Sequence, residues 1–188
     1  EITGREFGQY SDIKQLRKKA IDYYKSELQG SFAKNNLLGA IRIEQGFTDN
    51  DIYFSRKGLK KFTHTSAQEV KLLAVKYLKD IIEESKVISE SDALKEGHTG
   101  EHFYFLHSSL TYKGNKYYIV INVLRDKSKD LVYYNHNVYN ANEYIKIEDT
   151  YLGTNGTGDS SPVQNSQKVS SVTNSITEKQ GEIKTLEQ

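Results

Sequence analysis

Arg56, Lys57, Lys60, Lys61 and His64 fall within the stretch Ile52-Tyr-Phe-Ser-Arg-Lys-Gly-Leu-Lys-Lys-Phe-Thr-His64. No acidic residue lies between Ile52 and Gln68. A titratable imidazole beside a preformed phosphate site is what metal-free cleavage of RNA requires, because imidazole exchanges a proton near neutral pH. Lys60 and Lys61 would hold the phosphate and spread the charge of a pentacoordinate transition state. Arg56 and Lys57 would add contacts, and the Ser55 hydroxyl could bond a phosphate oxygen or cap the turn. The spacing Ser66-Ala-Gln-Glu69 is that of a capping box, so the basic segment is expected as a loop ahead of a helix N-terminus, where an anion is already favoured. A solvated basic surface is the other reading of these residues. Ordinary surfaces mix signs, so the lack of any acid weighs toward a function.

The strand histidines come second. His136 alternates with Val132, Tyr134 and Val138, and His107 alternates with Phe103 and Phe105. Each could supply a second acid or base from a sheet, or be a polar group at its margin. His98 and His102 flank a glycine-containing break and fit a zinc pair poorly, since there is no cysteine and no HExxH pattern. No metal or cofactor is expected. G-x-S-x-G, G-x-x-x-x-G-K-[ST] and G-x-G-x-x-G are all absent, which leaves hydrolase-elbow, P-loop and dinucleotide readings without a motif. Most of the strand tyrosines (Tyr112, Tyr117, Tyr118, Tyr133, Tyr134) read as core, although one or two beside the basic segment could stack a base.

The elements that must position these groups follow from periodicity. Ile13, Leu16, Ala20, Tyr24 and Leu28 recur at three- and four-residue steps behind Ser11-Asp12, which predicts a capped helix ending at Gly30. Val70, Leu73, Ala74, Tyr77, Leu78, Ile81 and Ile82 predict a second helix with a wide apolar stripe. Ala40–Ile43 and Asp51–Ser55 read as short strands, and Glu90–Lys95 as a helical turn. Beyond Gly97–Gly100 the period falls to two, predicting strands over His102–Ser108, Leu110–Tyr112, Lys116–Arg125, Leu131–Tyr139 and Tyr144–Ile147. Turn residues separate them at short intervals, so an antiparallel meander is expected. The fold class is α+β: two N-terminal helices packed on one face of a mainly antiparallel, meander-type sheet of about four to five strands.

The chain has 188 residues, 36% of them hydrophobic, with 14 tyrosines and no tryptophan. Its mean hydropathy is -0.69. A net charge of +1 means that polyanion binding must come from local clustering and not from a global field. There is no apolar run of membrane-spanning length and no signal-peptide pattern. The chain begins at glutamate and has no methionine, as expected of a processed product or an excised piece of a longer polypeptide. Residues 1–152 are expected to form the folded domain. Residues 153–188, rich in Ser, Thr, Asn and Gly and without an aromatic, are expected to be a disordered tail or linker, with a short helix near Ile176–Leu186 as an option.

The order of these pieces resembles the barnase–EndoU–colicin–RelE-like nuclease superfamily, in the forms found in phage polyvalent proteins and modular bacterial toxins. The resemblance rests on an N-terminal helix (Glu6-Phe7 to Tyr23-Tyr24), Ile52-Tyr-Phe-Ser55, Gly58-Leu-Lys-Lys-Phe-Thr-His64 with a long helix after it, Lys116-Tyr-Tyr-Ile-Val-Ile-Asn-Val123 and Tyr133-Tyr134-Asn-His136. It covers roughly residues 5–147. It implies a metal-independent endoribonuclease in which the ribose 2′-OH attacks the adjacent phosphate and leaves a 2′,3′-cyclic phosphate. Colicin-type members carry a Lys…Lys…His cluster, which Lys60, Lys61 and His64 match in type and approximate spacing. A later hydroxyl or aromatic group would correspond to Ser108, Ser109 or His136. The implied partners are RNA, with tRNA among the candidates, and an immunity or antitoxin protein. The implied place of action is the cytoplasm of a bacterial cell. A non-catalytic nucleic-acid- or protein-binding accessory domain of a phage polyvalent or secreted polypeptide is the alternative.

Overall fold

The computed structural model describes residues 1–64, 68–92, 101–128 and 130–152, with the side chains of 62–64 and 148–152 outside that description. Asp12 caps the first helix, α1 (Ile13–Tyr23), by accepting from the Gln15 N–H at 2.8 Å. A π-turn continues it through Leu28, and Gly30 then donates to the Phe54 carbonyl at 2.9 Å. The chain runs on through β1 (Phe32–Ala33), α2 (Asn36–Glu44), β2 (Ile52–Phe54) and α3 (Arg56–His64). The predicted second helix is present as α4 (Glu69–Leu73), a 3₁₀ turn (Ala74–Tyr77) and α5 (Leu78–Glu84). After it come β3 (Lys86–Asp92), β4 (His102–Tyr112), β5 (Asn115–Arg125), β6 (Leu131–Asn140) and α6 (Ala141–Leu152).

These elements make an α+β fold around one six-stranded mixed sheet, ordered β1-β2-β6-β5-β4-β3. The strands β3 to β6 form an antiparallel meander, β2 pairs with β6 in parallel, and β1 closes the edge antiparallel to β2. The sheet therefore exceeds the expected four to five strands. Four local expectations are corrected. Ala40–Ile43 is helical because Asn35 caps α2, accepting from the Leu38 N–H at 2.8 Å, and periodicity cannot decide so short an apolar run. Residues 90–92 belong to β3 and not to a helical turn, since they pair with His102–Tyr104; the rest of that turn, 93–95, lies outside the described residues. Tyr144–Ile147 is helical because Asn140 and Glu143 form a reciprocal capping box. In place of the expected box at Ser66–Glu69, Gln68 is the N-cap residue of α4, and the Glu69 carboxylate accepts from the Tyr10 and Tyr112 hydroxyls. Ser66 itself, and the predicted tail at 153–188, lie outside the described residues.

One sheet face carries Tyr104, Leu106, Ile119, Ile121, Val123, Tyr133 and Val138, buried with Leu16, Ala20, Leu59, Val70, Leu73 and Ile82 from the helices. On the other face Tyr144 of α6 stacks on Tyr118 and His107, with ring centroids 4.3 and 4.9 Å apart. The ladder between β5 and β6 slips by one residue at Asn122/Val123, leaving Tyr134 as the extra residue of a bulge. Bulges bend a strand and re-aim a side chain, and this one presents Tyr134 beside α3.

Candidate nucleic-acid interface

The basic segment is helix α3, not a loop. Ser55 starts it: its hydroxyl accepts from the Lys57 N–H at 3.2 Å, and its carbonyl accepts from the Tyr24 hydroxyl at 2.9 Å. Leu59 and Gly58 face inward. A Cβ at Gly58 would stand 2.5 Å from the Tyr133 ring and 2.6 Å from the Tyr133 carbonyl, so only glycine lets α3 lie this close to β6. The outward residues are Arg56, Lys57, Lys60 and Lys61, all exposed. At about 100° per residue these four positions span roughly 140° of the helix circumference, and position 64 falls inside that sector. Helix formation thus gathers on one face what a loop would leave unordered. Two of the cations occupy the first turn, which has no acid. The helix dipole disfavours cations there.

Lys61 Nζ lies 5.1 Å from the centroid of the Tyr134 ring, a cation–π arrangement. Tyr134 is half-buried and meets Phe103 edge-on at 5.2 Å. The structure therefore brings together Arg56, Lys57, Lys60, Lys61, Ser55 and an aromatic from the sheet. It does not bring Ser108 to them. Ser108 sits on β4 opposite Ile119, two strands from β6 and hence about 10 Å across the sheet.

His136, read from the sequence as either a second acid or base or a polar group at the sheet margin, is also apart. Its side chain is fully buried. Nε2 lies 2.9 Å from the Lys71 carbonyl and so must donate, leaving Nδ1 to accept from the Tyr133 hydroxyl at 2.6 Å. Burial, with the Lys71 charge beside it, pushes the His136 pKa down to about 3, so the ring is neutral at physiological pH. A histidine held this way organises the core.

His107 is stacked against Tyr144 and Tyr118, and burial lowers its pKa. His102 is clamped by Asp92 at 2.7 Å and Glu90 at 3.1 Å. Burial opposes its charge, but the two carboxylates outweigh that and raise its pKa. Among the described residues no group of three or more His, Cys, Asp or Glu could hold a metal ion, and no helix is long and apolar enough to cross a membrane. His98 lies outside the described residues.

Lys71 was not singled out from the sequence. It is only 5% exposed, and Nζ donates to Asn137 Oδ1 at 3.2 Å. Burial lowers its pKa to about 8. The available signal was a lysine inside the apolar run Val70-Lys-Leu-Leu-Ala-Val75, which a wide helical stripe would be expected to bury.

Residues 11–134 match the family model described as large polyvalent protein-associated domain 3. Neither a curated protein nor a solved structure matches the chain. The matched span runs from the α1 cap through α3 to Tyr134, and so takes in the basic helix and the aromatic beneath Lys61. The chain belongs to the large polyvalent protein-associated domain 3 family, a phage polyvalent-protein type of domain.

Proposed function

We propose that this domain is an RNA-binding accessory domain of a polyvalent protein, with the outer face of α3 as its phosphate-binding surface. The observation that carries the reading is the set of four exposed cations on one helix face with no acid among them. Two of these cations sit at the helix end where they cost stability, a pattern that a bound polyanion would offset. Tyr134 and Phe103 beside Lys61 offer rings on which unpaired bases could stack. Fluorescence anisotropy with single-stranded RNA over a salt series tests this. Binding should weaken with salt, and Lys60→Gln with Lys61→Gln should flatten the slope by about 0.7 for each phosphate no longer neutralised. Binding that ignores both salt and these substitutions would sink the proposal.

RNA cleavage is the second reading, favoured by position 64 sharing the α3 face with the cations. In it the chain belongs to the barnase–EndoU–colicin–RelE-like superfamily, with the two N-terminal helices and the meander as that family's layers. His64 is then the acid/base, and Lys60 and Lys61 clamp the phosphate. An immunity or antitoxin protein would be a partner, in the cytoplasm of a bacterial cell. The folded domain would span 1–152, with 153–188 as tail. Incubation with RNA in EDTA should yield fragments ending in 2′,3′-cyclic phosphate that His64→Ala abolishes. Intact RNA with wild-type protein leaves the binding reading alone.

A further inference from the structure

Strand β3 is the last in the sheet order and pairs, among the described strands, with β4 alone. A register shift between Val87 and Ser89 separates its first pairs from its final ones, which run from Ser89 opposite Phe105 to Asp92 opposite His102. Both ring nitrogens of His102 face carboxylates of β3. Nδ1 lies 2.7 Å from Asp92 Oδ1, and Nε2 lies 3.1 Å from Glu90 Oε2. A neutral imidazole has one N–H and one bare lone pair, so it can serve one of these carboxylates but repels the other. Only the imidazolium satisfies both. Arg125, opposite His102 on β5, adds a cation that works against the ring's charge. From α2 come Gln45, which donates to Glu90 and accepts from the Tyr104 hydroxyl, and the buried Arg42, which bonds Tyr104. The Tyr104 ring meets His102 edge-on at 4.9 Å.

We propose that His102 is a proton-operated fastener for the end of β3: protonated, it ties Glu90 and Asp92 to β4, and on losing its proton it releases Asp92. The two carboxylates differ in what release would cost. The Glu90 side chain is 16% exposed and also holds Gln45, whereas that of Asp92 is 84% exposed. A half-buried carboxylate stripped of a donor loses more than an exposed one, which water can hydrate. The remaining proton therefore stays on Nε2, toward Glu90, and Asp92 turns away from the bare lone pair at Nδ1. Burial works against the charge on His102, but Glu90 and Asp92 outweigh it and hold the folded-state pKa above the ordinary 6.5. The fastening is thus complete below pH 6.5 and is lost as pH rises through the folded-state value. The device does not depend on what α3 binds.

NMR of the full chain from about pH 5 to about pH 9 tests the fastener. The His102 ring should titrate with a midpoint above 6.5, and the Asp92 carboxyl carbon should shift at that same midpoint. Hydrogen-exchange protection of the amides in Ser89–Asp92, corrected for the intrinsic rate at each pH, should fall by up to about tenfold per pH unit between 6.5 and the midpoint. Above the midpoint it should level off, while the β4–β5 ladder keeps its protection. His102→Gln should abolish this pH dependence. Asp92→Asn, at an exposed side chain, should lower the His102 midpoint and shrink the dependence, and it stays readable if the His102 variant does not fold. A His102 midpoint at or below 6.5 overturns the proposal. So does β3 protection that ignores pH, or that falls equally in His102→Gln, or an Asp92→Asn chain that titrates like the wild type.

Discussion

Helix α3 and the Lys71–His136 network both lie against β6, and they use basic residues in opposite ways. On α3 the cations are exposed and crowded. Around His136 two basic groups are buried, each fixed by hydrogen bonds, and one of them is held neutral. The difference teaches that basic character marks a candidate binding surface only where burial leaves it in water. Inside the sheet the same residue types are first of all structural, because each buried donor and acceptor must find a partner.

This contrast can be broken by measurement. The largest expected effect is on stability at His136. His136→Ala removes the hydrogen bonds to the Tyr133 hydroxyl and the Lys71 carbonyl and opens a cavity, so urea unfolding should show a loss of about 3–5 kcal/mol. A loss under about 1 kcal/mol would place His136 outside the core network.

Acid should produce the next effect. The folded-state pKa of His136 is depressed to about 3, against an ordinary value of 6.5. As pH falls below 6.5 the unfolded chain takes up a proton that the folded chain refuses. The His136 contribution is therefore complete above pH 6.5 and is lost from there down toward pH 3, at roughly 1.4 kcal/mol per pH unit. Denaturation midpoints of wild type and His136→Gln over that range should converge as pH drops. Parallel curves would mean that the buried ring is already protonated.

Gly58→Ala sharpens the other side of the comparison. The new methyl group meets the Tyr133 ring and carbonyl, and a backbone oxygen cannot swing aside, so a cost of about 1–3 kcal/mol is expected. RNA affinity should fall with it, because α3 is displaced from Tyr134. The smallest stability effect belongs to Lys60→Gln with Lys61→Gln. Thermal unfolding should move by less than about 0.5 kcal/mol while salt-dependent RNA binding weakens. A large loss of stability there would make the cations structural and erase the contrast.

Parts of the architecture were legible because they rest on local periodicity. Asp12 caps α1 as read, the stripe from Val70 to Ile82 is helical, and strands β4, β5 and β6 follow the period-two runs almost to their ends. The basic segment was visible as charge but not as a helix, since Gly58 and two cations in a first turn argue locally against one. What holds it helical is packing against Tyr133 and Tyr24. α6 carried a readable signal in Asn140 and Glu143, but the alternation of Tyr144 to Ile147 was short enough to pass for a strand.

The sequence by itself determined the sign and clustering of charge, the α+β class and the core strands, because these depend on residue type and on hydrogen bonding between near neighbours. Tertiary structure decided that β2 runs parallel to β6, that Tyr134 occupies a bulge beneath Lys61, and that Lys71 is drawn into a cleft wall while His136 is sealed neutral beneath it. Burial is a property of what packs against a residue from far along the chain. Hence Lys61 and Lys71, alike in sequence and ten positions apart, end in water and in the core respectively.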